Sequence, residues 1–443
     1  MKFLSHRQKS LRKLAIGLVG ITLFQQTSTA QNEPETAAKK KIFVQQMQAG
    51  KLSCSLDPLV KIPEVWALLP TALDSAYAIP DGMKVAKNPY FQWLTESHER
   101  AVFSKQPFSN VKLEMSLFGG ELPADEVIVD FIENKLNGIT ITLYNKGDSG
   151  KIETQEFQRR LKLCGQKIGE LLQSSPVLKK ANPTQGLLAE GWFWSSPRGM
   201  ASLEYNPDAM QGDAEFLRLR LAPRDAKGLI AASLQGRSVT VKASDLPKNV
   251  SKESNGNVVI NGLPMVDQGQ KGYCLVATTQ RLFEYYGIPA DQHQIAQAAG
   301  TSASEGTSTL AMAEALGKID YRFKTRFKIL AMRDENQLVE VNERKMTVGK
   351  HFEQTAFIKE VRRYIAEGVP LLWSLELGRY PEEPPISKQT AGGHMRMIIG
   401  YNDKTGHILF SDSWGAGHEL KKMKLDDAYS ASTGLFVMLP TVR

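Results

Sequence analysis

The sequence predicts an α+β chain: an N-terminal α+β domain followed by a second domain in which a helical half faces an antiparallel sheet half. Three observations predict it. In the first half, alternating polar and apolar runs surround one long segment of helical period. Between Asp225 and Asn261 the composition shifts, ending in the turn-rich NVSKESNGN. From Gly262 onward, helical segments precede strand-like ones, two of them joined by a short turn. With 443 residues and 42% apolar side chains the chain can bury substantial cores, which excludes a wholly disordered or fibrous chain and a single short recognition module.

The elements follow in order. MKFLSHRQKSLRK, the apolar run LAIGLVGITLF and a polar stretch ending STA give the charged, apolar and small-residue order of a secretory signal peptide, so residues 1–30 are expected to be removed near Ala30. The alternative is an uncleaved anchor, for which the 11-residue apolar run is short. Lys2, Arg7, Lys9, Arg12 and Lys13 lie in that leader without an acidic residue, and removing it takes the net charge from +8 to +3. The remainder argues against a nucleic-acid partner, which would favour an extended basic face. No later segment is long and apolar enough to cross a bilayer.

Residues 31–44 read as a flexible arm and 45–224 as the N-terminal α+β domain, of unassigned role. NVKLEMSLFG, Asn110–Gly119, and GITITLYNKGDSG, Gly138–Gly150, alternate as half-buried strands do. Glu153–Gln173 places Phe157, Leu161, Cys164, Ile168 and Leu172 on one helical stripe, which makes Cys164 a small buried hydrophobe, with pairing to Cys54 the alternative. Gly191–Asn206 and Glu215–Pro223 read as further strands. Trp192, Phe193 and Trp194 are expected in the sheet core, a ligand surface being the alternative. Residues 225–261 are the junction, and 262–443 the second domain.

Chemistry concentrates in that second domain. PMVDQGQKGYC, Pro264–Cys274, is rich in turn formers, and LVATTQRLFEYYG then has helical period, so Cys274 sits at or just before a helix N-terminus. Unpaired amides and the dipole there favour a thiolate, although a cysteine in that position taken alone is as readily structural. Gln268 lies where its amide can join the Cys274 N–H as an oxyanion donor, with Gln270 a nearer substitute. AGGHMRMIIGYN carries His394 at a strand entrance, and HILFSDSWG carries Asp412 at the end of the next strand. The short link from Gly400 to His407 predicts an antiparallel hairpin that makes His394 and Asp412 neighbours, the carboxylate fixing the ring so that its other nitrogen faces the thiol.

QGQKGYC, then GGHMRMIIGYN, then FSDSWG resembles the papain-like cysteine peptidases, over roughly Gly262–Arg443. The resemblance implies a papain-like domain with the oxyanion role on Gln268, the nucleophile role on Cys274, the base role on His394 and the orienting role on Asp412. It puts Trp414 in the place of the tryptophan that shields the base. Papain and the cathepsins usually have Asn at the position of Asp412 and Trp at that of Leu275, and they carry structural cysteines that this segment lacks. These departures point toward bacterial leader-peptidase-like papain folds, although no ATPase or membrane-spanning domain of the leader-cleaving transporters is recognisable in the chain.

Asp291–Gly300, Ser308–Gly317 and Thr355–Gly368 read as helices and VPLLWSLEL as a strand, while Pro381–Gly393 is a proline-rich loop that is either a cleft wall or a surface connection. The expected activity is hydrolysis of peptide bonds in a peptide or protein substrate by an exported, periplasmic or extracellular enzyme. Acyl transfer to an amine and a catalytically inactive binding module are the rivals. No cofactor is required. His98, His293, His351, His407 and His418 have no tight ligand spacing, which argues against a metal site. The first domain is left with substrate binding, a cell-envelope contact or cleft covering as its roles.

Overall fold

The computed structural model describes residues 51–85, 87–105, 112–181, 189–234, 241–268, 274–290, 292, 295–296, 313–314, 316–317, 320–342, 347–386 and 392–442. The expected leader at 1–30, the arm at 31–44 and Gln270 lie outside the described residues, as does most of the two helices expected between 291 and 317.

The N-terminal half is a mixed α+β domain. Its strands are β1 (Lys51–Ser55), β2 (Gln92–Trp93), β3 (Arg100–Ser104), β4 (Lys112–Leu117), β5 (Leu122–Ala124), β6 (Glu126–Ile132), β7 (Lys135–Asn145), β8 (Val177–Lys179), β9 (Glu190–Ser196), β10 (Gly199–Tyr205) and β11 (Phe216–Ala222). Among the described residues, β1, β4 and β5 form a small sheet, and the others a larger one in the order β2-β3-β6-β7-β11-β10-β9-β8. Neighbours in the larger sheet are antiparallel.

Strand β6, EVIVDFI, explains the layering: Val127, Val129 and Phe131 are buried on one face while Glu126, Ile128 and Asp130 alternate onto the other. Over the first face lies the helix Thr154–Leu172, which buries Phe157, Leu161, Cys164, Ile168 and Leu172, the stripe read from the spacing. Trp194 is in the same core, Trp192 packs against it, and Phe193 packs on a smaller cluster around Met200 and Leu234, so all three aromatics belong to sheet packing. Cys54, Cys164 and Cys274 are all free. Burial pushes the Cys54 thiol up to about 12 and Cys164 upward as well, which leaves both inert at neutral pH.

The C-terminal half is a helical segment against an antiparallel sheet. The sheet contains β12 (Val250–Lys252), β13 (Asn257–Ile260), β14 (Thr325–Asp334), β15 (Gln337–Asn342), β16 (Thr347–His351), β17 (Leu371–Leu377), β18 (Gly392–Asn402), β19 (His407–Ser411), β20 (Lys421–Lys424) and β21 (Ser432–Pro440). Its path runs β12-β13-β18-β17-β21-β14-β15-β16, with β19 on β18 and β20 on β19. Two features differ from the sequence reading. Residues 250–260, taken as part of a junction, form the β12–β13 hairpin and join this sheet through β18. Gly400 makes that approach possible, because a Cβ there would lie 2.3 Å from the Val258 carbonyl oxygen. Strands β14 to β16 were not foreseen, since charged residues punctuate their alternation.

The helix Cys274–Tyr285 is buried on nearly every face, including the polar Thr278, Thr279, Gln280 and Arg281. A helix so enclosed needs partners for each polar group. Thr279 and Gln280 find theirs within the helix, at the Leu275 carbonyl and Glu284, while Thr278 and Arg281 reach the strands and loops that carry the candidate catalytic residues.

Candidate active site

Cys274 is the first residue of its helix and is half-buried. Thr278, one turn on, donates to the Cys274 carbonyl at 2.7 Å and lies 3.3 Å from both the Met395 carbonyl oxygen and Ser413 Oγ. One hydroxyl thus joins the helix start to the residue after His394 and the residue after Asp412.

His394 is the third residue of β18, facing Leu375 of β17. The β18–β19 hairpin has the antiparallel pairing read from the short link, with Asn402 opposite His407 and Met397 opposite Ser411. Asp412, one residue past β19, therefore lies beside the start of β18. His394 Nε2 and Asp412 Oδ1 are 2.6 Å apart and buried. That contact leaves Nδ1 as the ring nitrogen able to face the thiol, and Cys274 and His394 lie close enough to shift each other's ionisation. The structure thus places His394 in a 2.6 Å contact with Asp412, with Cys274 near enough to the ring for the two to affect each other's ionisation.

The electrostatics follow from burial opposed by these contacts. Burial pushes the Cys274 thiol up, but the hydrogen bond and charge of His394 and backbone contacts with Met395 and Leu275 outweigh it, leaving the thiol below its ordinary value. For His394 burial works against the charged ring; hydrogen bonds to Asp412 and Cys274 and their negative charges overcome it and raise the imidazole to about 9. Asp412, despite burial, is held down at about 2 by His394, Arg396 and Lys421. A lowered thiol beside a raised imidazole favours the thiolate–imidazolium pair at neutral pH.

Trp414 stacks on the buried His394 ring, centroids 4.7 Å apart and planes at 29°. Asp267 and Trp414 form an isolated antiparallel bridge, and the Gln268 N–H donates to the Ser413 carbonyl at 3.0 Å, so the segment before Cys274 is zipped to the segment after Asp412. Gln268 is thereby placed next to the Asp412 loop, and its Oε1 is buried without a hydrogen-bond partner among the described residues. Residues 269–273, which connect it to Cys274, lie outside the described residues.

Four functional side chains were missed by sequence reasoning. Arg396 Nε donates to Asp412 Oδ2 at 2.8 Å, and its two terminal nitrogens grip Glu382 at 2.6 and 3.1 Å. Lys421 closes the chain on Glu382. All of them are buried, and Arg396 also lies over the Phe410 ring at 4.6 Å. Arg281 donates to the Pro264 carbonyl at 2.8 Å, the Asp412 carbonyl at 2.9 Å and Ser411 Oγ at 2.5 Å. Burial without a carboxylate in direct contact lowers it to about 10. Two had a signal: Arg396 follows His394 by two in an apolar strand, hence on the same face, and Arg281 follows Cys274 by two helical turns. Glu382 and Lys421 had none. Among the described residues no group of His, Cys, Asp and Glu could hold a metal ion, and no helix is long and apolar enough to cross a membrane.

Residues 260–435 match the Peptidase_C39 like family. The chain is also similar to xylellain, a cysteine protease from Xylella fastidiosa, at 14% identity over 46% of this chain and 91% of that one, with a TM-score of 0.27. No curated protein matches the chain. The C-terminal region carries a papain-like, C39-type fold related to cysteine proteases.

Proposed function

We propose that the chain is an exported cysteine peptidase of the leader-peptidase-like type that hydrolyses peptide bonds with Cys274 as nucleophile, His394 as base and acid, and Asp412 as the group that orients and charges the ring. The observation that carries this reading is the buried 2.6 Å contact of His394 Nε2 with Asp412, supported by the lowered thiol of Cys274 near the same ring. Cys274 attacks the carbonyl carbon as its proton rests on His394. The Cys274 backbone N–H and the Gln268 amide receive the oxyanion; His394 passes its proton to the departing amine, and water, deprotonated by the now neutral ring, releases the acyl group. Trp414 keeps the His394–Asp412 contact dry, which strengthens it.

Export rests on the leader-like residues 1–30, and a peptide substrate on the thiol chemistry together with the family match. The test is exposure of the full chain to iodoacetamide and, separately, to a casein digest with mass spectrometry of the products. Alkylation at Cys274 below the pH where a free thiol reacts, with new peptide termini that disappear in Cys274→Ala, is the expected outcome. A folded protein whose Cys274 reacts like an ordinary thiol and cleaves nothing sinks the reading. Products extended by an added amine instead of water assign the chain to acyl transfer.

A further inference from the structure

The N-terminal domain reaches the site through its β2–β3 hairpin. Leu94 and Val102 of the hairpin and Ile128 of β6 pack with Met265, three residues before Gln268. Arg100 Nε donates to Asp130 Oδ1 at 2.6 Å, inside its own sheet, while Nη1 reaches out of the domain to Glu284 Oε2 at 2.9 Å and to the Met265 carbonyl at 3.1 Å. Glu284 lies on the nucleophile helix and is held by Gln280 at 2.6 Å. The same hairpin touches the third catalytic segment: the Glu96 N–H donates to Glu419 at 3.1 Å, and a Cβ on Gly415, next to Trp414, would lie 3.7 Å from Leu94.

Two guanidinium groups therefore hold consecutive carbonyls, Arg281 that of Pro264 from the nucleophile helix and Arg100 that of Met265 from the other domain. Arg100 and Glu284 are largely withdrawn from solvent, so this contact is neither screened nor loosened as a surface pair is. We infer that the N-terminal domain is a structural part of the active site and that Arg100 is its positioning residue. It fixes the nucleophile helix and the lead-in to Gln268 in one register and does not touch the reacting atoms. The inference rests on the peptidase reading and gives the first domain a role distinct from recruitment or cleft covering.

Its test is the rate of Cys274 alkylation by iodoacetamide from pH 4 to 10, measured on the full chain with melting temperature in parallel. Misplacement by about 1 Å costs on the order of 100-fold in such sites. Arg100→Gln is expected to slow alkylation at pH 6 by roughly 10- to 100-fold and to move the acid limb of the profile toward that of an ordinary thiol. Arg100→Lys keeps a positive charge, but one ammonium cannot hold Asp130, Glu284 and Met265 together. It should restore most of the melting temperature while leaving alkylation slow, a split that a merely stabilising residue would not produce. A folded Arg100→Gln protein with the wild-type profile overturns the inference; where that variant does not fold, a wild-type profile in Arg100→Lys overturns it. If the wild type itself reacts as an ordinary thiol, the peptidase reading has failed instead.

Discussion

Asp412→Asn is the most informative single change, because an amide can orient an imidazole but cannot do what this carboxylate does. Asp412 accepts three hydrogen bonds: from His394 at 2.6 Å and the Ser413 N–H at 3.0 Å on Oδ1, and from Arg396 at 2.8 Å on Oδ2. Asn offers one oxygen and an NH2, so either His394 or Arg396 must face a donor. The charge goes as well. Two unit charges about 4 Å apart at an effective dielectric near 20 interact by about 4 kcal/mol, equivalent to about three decades of protonation equilibrium. His394, held at about 9 partly by this charge, then falls toward or below its ordinary value, and Arg396, no longer neutralised, pushes it the same way. The thiolate–imidazolium pair becomes a minor species at neutral pH. Alkylation at pH 6–7 should drop about 100-fold, with the gap closing to a few-fold near pH 9.5, where the thiol ionises without help. Adding Arg396→Met removes the competing donor and should recover roughly tenfold, the worth of one charged hydrogen bond. A single variant within threefold of wild type at pH 6, with an unmoved acid limb, would refute the electrostatic role.

Stability should carry the signature of the same histidine. Its folded value of about 9 lies above the ordinary 6.5, so its contribution is complete below pH 6.5 and is lost as pH rises through 9, a fall of about 3 kcal/mol. Urea midpoints for the wild type and His394→Gln should converge over that window, and parallel curves would count against the coupling. Arg281→Met strips donors from one buried and one half-buried carbonyl and from a buried hydroxyl, which costs roughly 3–5 kcal/mol. A loss below about 1 kcal/mol by chemical denaturation would mean that those groups find other partners.

What the sequence made legible was whatever local pattern encodes. The helix Thr154–Leu172 is visible as a five-residue stripe, and the β18–β19 hairpin as two apolar runs around NDKTG. Cys274 and His394 stand out in the sequence because each follows glycines at the start of a periodic run, Cys274 after QGQKGY and His394 after Gly392 and Gly393. Long-range pairing is not local. Glu382 meets Arg396 across a proline-rich loop and Lys421 across β20, and no period links the three positions. Arg100 meets Glu284 across 184 residues and a domain boundary, so nothing near either residue announces the pair. Strands β14 to β16 were hidden for another reason. In TRFKILAMRD strict alternation puts charged residues on both faces, Arg326 and Lys328 on one and Arg333 on the other, and the strands are specified by pairing, β14 with the apolar β21 and β15 and β16 in turn.

A carboxylate at position 412 accounts for the buried charges around it. An Asn in that place would be neutral and would ask nothing of its surroundings beyond a hydrogen bond. A carboxylate withdrawn from water must be matched by a cation, which Arg396 supplies through Nε. The guanidinium then has two further nitrogens in the same dry region, and Glu382 accepts from both of them. Glu382 is itself buried and brings a second negative charge, which Lys421 balances. Asp412, Arg396, Glu382 and Lys421 thus sum to zero, and moving a proton from Cys274 to His394 leaves that sum unchanged. Each charge is the condition for burying the next. It follows that Asn at position 412 is tolerated only when Arg396 is made neutral with it, which leaves Glu382 and Lys421 as a balanced pair, since Asp412→Asn alone strands a buried positive charge at a cost of about 3–5 kcal/mol.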